Sequence, residues 1–333
     1  MNEVVLGRSG IAVSRLCFGT LTISPAQACL SLEEGAELIC YAIENGVSFL
    51  DTAELYDNYE MIRLALKKCS RLPVVCTKSY AYDRASALES LETARRALDL
   101  DVIDLFLLHE QESLMTLKGH EEAFRTYLEA RDRGQIRASG ISTHAVEPVL
   151  ALAGAVSGDD SLWQAQGVVP GFWREAAVIH PLLNRSGIGL LDGTAADMER
   201  AVRLAHDAGI GIFGMKMLGG GHLLPCFQEA VDYALGLDCA DSYAVGMQSR
   251  EEVDVNVALF EGRPVDPEQL AAAAGRNRRL LISDWCTGCG ACVNRCRSGA
   301  LSLCEGVAVC DPAKCTLCGY CATVCRDFVI KVI

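Results

Sequence analysis

Phe49-Leu50-Asp51-Thr52-Ala53 is a short apolar run that stops on a charged residue, and the same grammar returns at Val74-Val75-Cys76-Thr77-Lys78 and Asp104-Leu105-Phe106-Leu107-Leu108-His109. Short apolar runs that alternate with longer amphipathic ones are how strand and helix succeed each other in parallel α/β folds. Strand candidates end near Gly19, Asp51, Lys78, His109, Ile141, Leu183, Lys216 and Gly246, eight in all. Helix candidates lie between them at Leu32 to Asn45, Met61 to Cys69, Asp83 to Leu98, Thr116 to Arg133 and Ala195 to Ala208. Gly46, Gly134 and Gly209 stand at helix C-termini, where a left-handed residue ends the helix. Eight βα units in about 250 residues predict a (β/α)8 TIM barrel, whose strand C-termini converge on the active face. Gly154 to Trp173 is the least regular stretch and is expected to be an inserted loop near that face.

The C-terminal region reads differently. Cys286, Cys289, Cys292 and Cys296 form a C-x2-C-x2-C-x3-C run, and Cys315, Cys318, Cys321 and Cys325 repeat the spacing. Three thiolates from one tight turn hold three irons of a cubane, and the fourth crosses to the other cluster in two-cluster ferredoxins. The predicted ligands are therefore Cys286, Cys289, Cys292 and Cys325 for one [4Fe-4S] cluster, and Cys315, Cys318, Cys321 and Cys296 for a second. Gly288, Gly290 and Gly319 keep the turns open for backbone N–H groups to approach cluster sulfurs. Zinc sites show pairs of C-x2-C instead of triplets followed by x3-C. Cys304 and Cys310 fall outside the spacing and read as small buried residues. Arg297 and Arg326 occupy the place of the usual proline, and cations there favour the more negative reduced cluster. The domain boundary is expected near residue 275, with the barrel over 1–275 and a small α+β, ferredoxin-like module over 276–333.

At the strand ends the sequence resembles the aldo-keto reductase family. The marks are Leu6-Gly7-Arg8-Ser9-Gly10, Phe18-Gly19-Thr20, Asp51-Thr52-Ala53-Glu54-Leu55-Tyr56, the strand-ending Lys78 and His109, and Ile136-Arg137-Ala138-Ser139-Gly140-Ile141-Ser142. The resemblance covers about residues 1–260 and implies a tetrad of Asp51, Tyr56, Lys78 and His109. Carbonyl reduction needs an acid to protonate a developing alkoxide, and a free tyrosine is a poor acid-base group near neutral pH. Lys78 is expected to lower the pKa of Tyr56, Asp51 to hold Lys78, and His109 to orient and polarise the carbonyl. Each residue alone has a structural alternative, as a helix cap, a pocket wall, a snorkelling cation or a satisfied strand-end histidine.

The resemblance further implies a nicotinamide cofactor across the barrel mouth. Gly19 and Thr20 match positions near the nicotinamide ribose, Ser142 matches a carboxamide partner, and Thr143 and His180 fall where the family has Asn and Gln. Met215 takes the place of a stacking tyrosine, and Lys216-Met217-Leu218-Gly219-Gly220-Gly221 matches the pyrophosphate-contacting run. Gln248, Arg250, Glu252 and Asn256 resemble the adenine-ribose segment; a carboxylate at Glu252 repels a 2′-phosphate and tips the expectation toward NADH, with Arg250 as a compensating cation for NADPH.

Hydride carriers move two electrons and each cubane moves one, so direct exchange between a nicotinamide and a cubane would demand a high-energy nicotinamide radical. The sequence leaves three readings open: a carbonyl reductase (or alcohol dehydrogenase) exchanging electrons with the clusters through a flavin or an electron-transfer protein partner; a reductase fed directly by the clusters; or a non-enzymatic scaffold in a redox complex. A net charge of −13 over 333 residues disfavours nucleic acid and anionic membranes. No apolar stretch reaches the roughly 18 residues a membrane span needs. The N-terminus has no secretory pattern, and most of the 17 cysteines sit in one short segment, which favours metal ligation and a cytoplasmic location over disulfides. Trp163, Phe172, Trp173 and Cys226 are candidates for the specificity pocket, and His222 for a further polar group.

Overall fold

The computed structural model describes every residue except 275–278, 297, 316, 318 and 319. The expected boundary at residue 275, and the roles expected of Arg297, Cys318 and Gly319, lie outside the described residues.

A small antiparallel hairpin, β1 (Glu3–Val5) and β2 (Ala12–Ser14), precedes eight parallel strands: β3 (Leu16–Gly19), β4 (Phe49–Asp51), β5 (Val74–Ser79), β6 (Ile103–Leu108), β7 (Ile136–Thr143), β8 (Val178–Pro181), β9 (Gly211–Met215) and β10 (Ser242–Gly246). Each strand pairs with the next, and β10 returns to β3 with Tyr243 opposite Leu16, closing the barrel. All eight predicted strands are present, each ending within about two residues of the expected position.

Side chains alternate along every strand. Leu16, Phe18, Leu50, Phe106, Ile141, Ile179 and Ile212 point out to the helices. Cys17, Phe49, Cys76, Leu105, Leu107, Ala138, Val178 and Phe213 form a separate interior cluster, which Leu6, Ile11 and Val13 of the hairpin region close from below. Gly7 permits that closure, because a Cβ there would lie 2.3 Å from the Gly211 nitrogen.

The helices follow local chemistry. Ser31, Asp83 and Thr194 make reciprocal N-terminal caps for Leu32–Glu44, Arg84–Leu98 and Ala195–Asp207. The expected helix from Thr116 to Arg133 is instead two, Leu114–Gly119 and Glu121–Asp132, meeting at His120. Gly119 weakens the junction, and the His120 ring is held by Gln111 instead of continuing a helical face.

The irregular stretch is no active-face loop. Gly154 lies inside the helix Val146–Ser157, Ser161–Ala165 is a short helix, and Trp163 and Trp173 are fully buried in the helical layer. Trp163 donates to the Ala151 carbonyl at 2.8 Å, and Trp173 stacks on Phe124 at 4.1 Å. Large aromatic area drew both rings into the outer core, away from the barrel mouth.

Beyond the barrel, β11 (Leu280–Ile282) pairs antiparallel with β14 (Ile330–Val332), and β12 (Leu301–Cys304) pairs with β13 (Val307–Cys310) through a two-residue turn at Glu305 and Gly306. This tail has its own core of Cys292, Leu301, Ala308, Cys321, Val329 and Ile330. It docks on the barrel through Phe328 and Ala322, which share a cluster with Ile188, Leu223 and Ala230. His222 donates from Nε2 to the Ile330 carbonyl at 3.0 Å. At Gly221, with φ +89°, a Cβ would stand 2.7 Å from the Val332 carbonyl oxygen. Gly221→Ala is expected to cost about 1–3 kcal/mol at this seam. The check is hydrogen exchange at Ile330–Val332, which should accelerate while the barrel strands keep their protection.

Candidate functional site

Strand parity assembles the site. Gly19, Asp51, Lys78, His109, Ser142, His180 and Met215 each lie an even number of positions beyond an inward-facing apolar residue, so all seven turn inside the barrel at its C-terminal end. Tyr56 comes from the single helical turn Glu54–Tyr56 after β4, which Asp57 ends with a left-handed conformation at φ 50°.

Lys78 and Asp51 form a buried ion pair at 2.5 Å, and Lys78 also donates to the Thr52 carbonyl at 2.7 Å. Burial alone would raise the Asp51 pKa, but the Lys78 ammonium together with His180 outweighs it and holds the carboxyl well below its usual range. Burial likewise opposes the charge on Lys78, and Asp51, helped by Tyr56 and Cys76, reverses this and keeps the ammonium protonated. The Tyr56 ring lies 5.4 Å from Lys78 Nζ and meets His109 edge-on at 5.8 Å. The expected lowering of the Tyr56 pKa is not the net result. Lys78 does pull it down, yet burial dominates and leaves the phenol above its ordinary value.

His109 is pushed down to about 3, first by burial and then by Lys78, so the ring is neutral. It stacks beneath Tyr80 at 4.6 Å, and the Tyr80 hydroxyl donates to Glu110 at 2.5 Å. The Nδ1 atom of His109 is buried without a hydrogen-bond partner. His180 stacks on Phe213 at 3.9 Å and donates from Nδ1 to the Phe213 carbonyl at 2.5 Å, leaving Nε2 3.6 Å from Asp51 Oδ2. Burial lowers its pKa.

A cavity of about 590 Å³ opens over these groups, within the range usual for small-molecule sites. It touches Gly19, Asp51, Tyr56, His180, Met215, Lys216, Leu218, Gly220, Gln248, Glu252 and Asn256, all expected from the sequence. Lys78 and His109 reach it only through their contacts with Asp51 and Tyr56. Thr20, Ser142, Thr143, Gly219 and Arg250 are not on its wall. Their polar groups are spent locally: Thr20 donates to the Asp51 carbonyl, the Ser142 hydroxyl accepts from the Glu110 amide, and Thr143 donates to the Gln111 carbonyl. Gly219 packs against Ile188 and Leu223, and Arg250 lies 5.0 Å over the Tyr41 ring. Trp163, Phe172, Trp173 and Cys226 do not line the cavity either.

Three wall residues, Leu317, Lys331 and Val332, come from the tail, and sequence patterns gave no sign of them. The glycine run expected to cradle phosphate has a second use: a Cβ on Gly220 would lie 3.1 Å from the Phe328 ring, so the run admits the tail. Asn256 donates to the Glu252 carbonyl at 2.7 Å, while its Oδ1 is buried without a partner. The Glu252 carboxylate accepts from the Gln248 amide at 2.8 Å.

In the tail, Cys286, Cys289, Cys292 and Cys325 surround a second, small cavity with Gly288 and Gly290. Both glycines have positive φ, and a Cβ on Gly288 would strike the Gly306 carbonyl at 1.9 Å. The Ala308 amide donates to Cys286 Sγ at 3.4 Å and the Ala300 amide to Cys296 Sγ at 3.3 Å. Among the described residues no three histidine, cysteine or acidic groups close on a single-ion site; the four thiols ring a space. Cys310 is half-buried with the Cys315 thiol beside it, while Cys304 is exposed on the hairpin, contrary to its expected burial. No helix among the described residues is long and apolar enough to cross a membrane.

The sequence model of the Aldo/keto reductase family matches residues 15–233, and that of the 4Fe-4S binding domain matches residues 281–302. Aldo-keto reductase YhdN of Bacillus subtilis is 28% identical over 163 residues, covering 44% of this chain and 48% of the relative. Methylglyoxal reductase DkgA of Escherichia coli K12 is 26% identical over 191 residues, covering 56% and 64%. The chain spans about half the length of the curated relatives it matches. The holo form of the aldo-keto reductase AKR11C1 from Bacillus halodurans superposes with a TM-score of 0.62 at 20% identity, over 83% of this chain and 96% of that one. Its apo form gives 0.58 at 20% identity, over 83% and 95%. At that identity the likeness is one of fold.

Removing the Lys78 charge leaves Asp51 ionised in an apolar wall. Lys78→Met is expected to cost about 3–5 kcal/mol in urea unfolding, with Asp51→Asn on the same background recovering most of it. Additive losses would contradict the pairing.

Proposed function

This chain belongs to the aldo/keto reductase family, and we propose that it reduces a small carbonyl compound, or runs the reverse alcohol oxidation, with Tyr56 as acid and base. The observation that carries the reading is one cavity walled by Asp51, Tyr56 and His180 at one part and by Gln248, Glu252 and Asn256 at another. The unpartnered Oδ1 of Asn256 suits a ligand amino group, and Lys216, Leu218 and Gly220 suit a phosphate-bearing middle. A nicotinamide bound there would supply hydride. NADH is favoured over NADPH, because Glu252 presents a carboxylate and Arg250 is turned onto Tyr41.

The chain's own groups do the rest. Neutral His109, set behind the cavity wall, meets the Tyr56 ring edge-on and fixes the approach of its hydroxyl to the carbonyl oxygen. Tyr56 then delivers its proton to the alkoxide as charge develops. Lys78 stabilises the phenolate left behind, offsetting the burial that otherwise keeps the phenol protonated. Asp51 holds Lys78 charged and in place. A buried ion pair under a cavity is poor economy for a scaffold, and perturbed groups of this kind cluster at sites of chemistry. Ser142, Thr143, Thr20, Gly219 and Arg250 act as supports behind the cavity wall.

Residues 276–333 serve as a separate module for two [4Fe-4S] clusters, one on Cys286, Cys289, Cys292 and Cys325, the other on Cys315, Cys318, Cys321 and Cys296. The thiol ring and the amides directed at Cys286 and Cys296 suit cubane sulfur chemistry. The clusters would supply one-electron transfer to a protein partner, with a flavin as the intermediary where two-electron steps meet it. A cytoplasmic location suits free thiols and oxygen-sensitive clusters.

Tyr56→Phe is expected to lower carbonyl-dependent turnover about 10²- to 10⁴-fold while NADH affinity and cluster absorbance stay unchanged. Equal turnover of the two proteins across aldehydes and ketones would remove the tyrosine mechanism. Anaerobically reconstituted wild type should carry about eight irons per chain, and a Cys289→Ala/Cys292→Ala variant about four. Four irons in the wild type would refute the two-cluster assignment.

A further inference from the structure

Lys331 lies in the last strand of the tail, only 9% exposed, on the wall of the barrel's cavity. Lys216, at the end of β9 with φ 61°, lies on the same wall. Phe328 sits at this seam: Lys216 Nζ is 5.7 Å over its ring, and Lys331 is three residues further along the same segment. Neither ammonium makes an ion pair or a hydrogen bond with any described residue. Lys331 Nζ lies 5.3 Å over the face of Trp285, and the Glu110 carboxylate is in electrostatic range of both ammoniums. Lys216 is part-exposed and Lys331 buried, and Glu110, which also accepts from Tyr80, offsets only part of two positive charges, so the pair favours a further anion. Burial and the neighbouring Lys331 together bring Lys216 down to about 7.

We propose that Lys216 and Lys331 form a two-part anion subsite across the seam, taking the phosphate or carboxylate of a ligand bound beside Tyr56. The proposal rests on the reading of the cavity as the reaction site, but Lys331 lies beyond the matched barrel segment and its role follows from docking of the tail alone. Two ligands carry such an anion: the dinucleotide, in its pyrophosphate, and a carbonyl substrate bearing a carboxylate. In either case the barrel's ligand site is incomplete without the module that carries the cluster cysteines. Cys325 and Lys331 are six residues apart on the same segment of the tail.

The test uses anaerobic holoprotein, comparing wild type, Lys331→Gln, Lys331→Arg and, as a surface control, Lys67→Gln, whose exposed partner is Asp99. Iron content and melting temperature are matched first. Calorimetric titration with inorganic pyrophosphate should show Kd rising about tenfold in Lys331→Gln, as loss of one charge-assisted contact implies, with recovery in Lys331→Arg and no change in Lys67→Gln. The salt dependence of Kd should flatten in the same variant. Pyrophosphate binding that is absent in wild type, or equal in wild type and Lys331→Gln, overturns the subsite.

NADH titrations and KM values for pyruvate and propanal then assign the source. Weaker NADH binding with an unchanged KM for pyruvate places the dinucleotide's pyrophosphate there; a raised KM for pyruvate alone, with propanal unaffected, places the substrate's carboxylate. If NADH fails to bind wild type while pyrophosphate binding is lost in Lys331→Gln, the nicotinamide reading falls and the subsite stands. Should Lys331→Gln fail to load iron, Lys216→Gln, remote in sequence from the cysteines, carries the same comparison.

Discussion

An ammonium and a carboxylate locked together inside a closed barrel set the terms for the rest of the molecule. Lys78 and Asp51 are almost wholly removed from water, where separate charges would be untenable and only close pairing with further hydrogen bonds makes them tolerable. Thr52 supplies a carbonyl to the ammonium, and Thr20 holds the Asp51 backbone carbonyl in turn. The barrel interior thus divides along its axis. The lower part is an apolar core, and the upper part is a polar layer whose members each depend on a neighbour for charge or orientation.

Much of this was legible because a strand has period two. Once Phe49 and Leu107 are inside, Asp51 and His109 must be inside as well, whereas Tyr56, on a helical turn, was marked only by the family resemblance. The cysteine spacing is local and regular, and the set Cys286, Cys289, Cys292 and Cys325 lines one small cavity. Where expectation failed, the deciding contacts were non-local. Ser142 and Thr143 sit at the right strand end, yet the Glu110 amide and the Gln111 carbonyl take up their hydroxyls. Trp163 and Trp173 have the bulk of pocket residues, but the helical layer encloses them, Trp173 against Phe124 and Trp163 against the Ala151 carbonyl. A phenol beside an ammonium suggested a lowered pKa, and only the depth of the pocket shows that burial prevails.

The tail is the least predictable part because nothing local announces a docking surface. Phe328, Lys331 and Val332 look like the end of a small strand. Their meaning comes from Gly220 and Gly221, roughly a hundred residues earlier, which lack the side chains that would hold the tail away. The glycine run therefore satisfies two demands at once: backbone on the cavity wall on one side, and backbone close enough for Phe328 and Val332 on the other. The seam is sealed by an apolar cluster and one histidine hydrogen bond, a modest attachment compared with the continuous core of the barrel.

The hairpin at the opposite end has its own consequence. Leu6, Ile11 and Val13 stopper the base of the barrel completely, so nothing enters or leaves by that route. Among the described residues the cavity opens at the other end, and Leu317, Lys331 and Val332 of the tail stand on its wall. The width of that mouth is therefore set in part by how the last dozen residues lean on their neighbours.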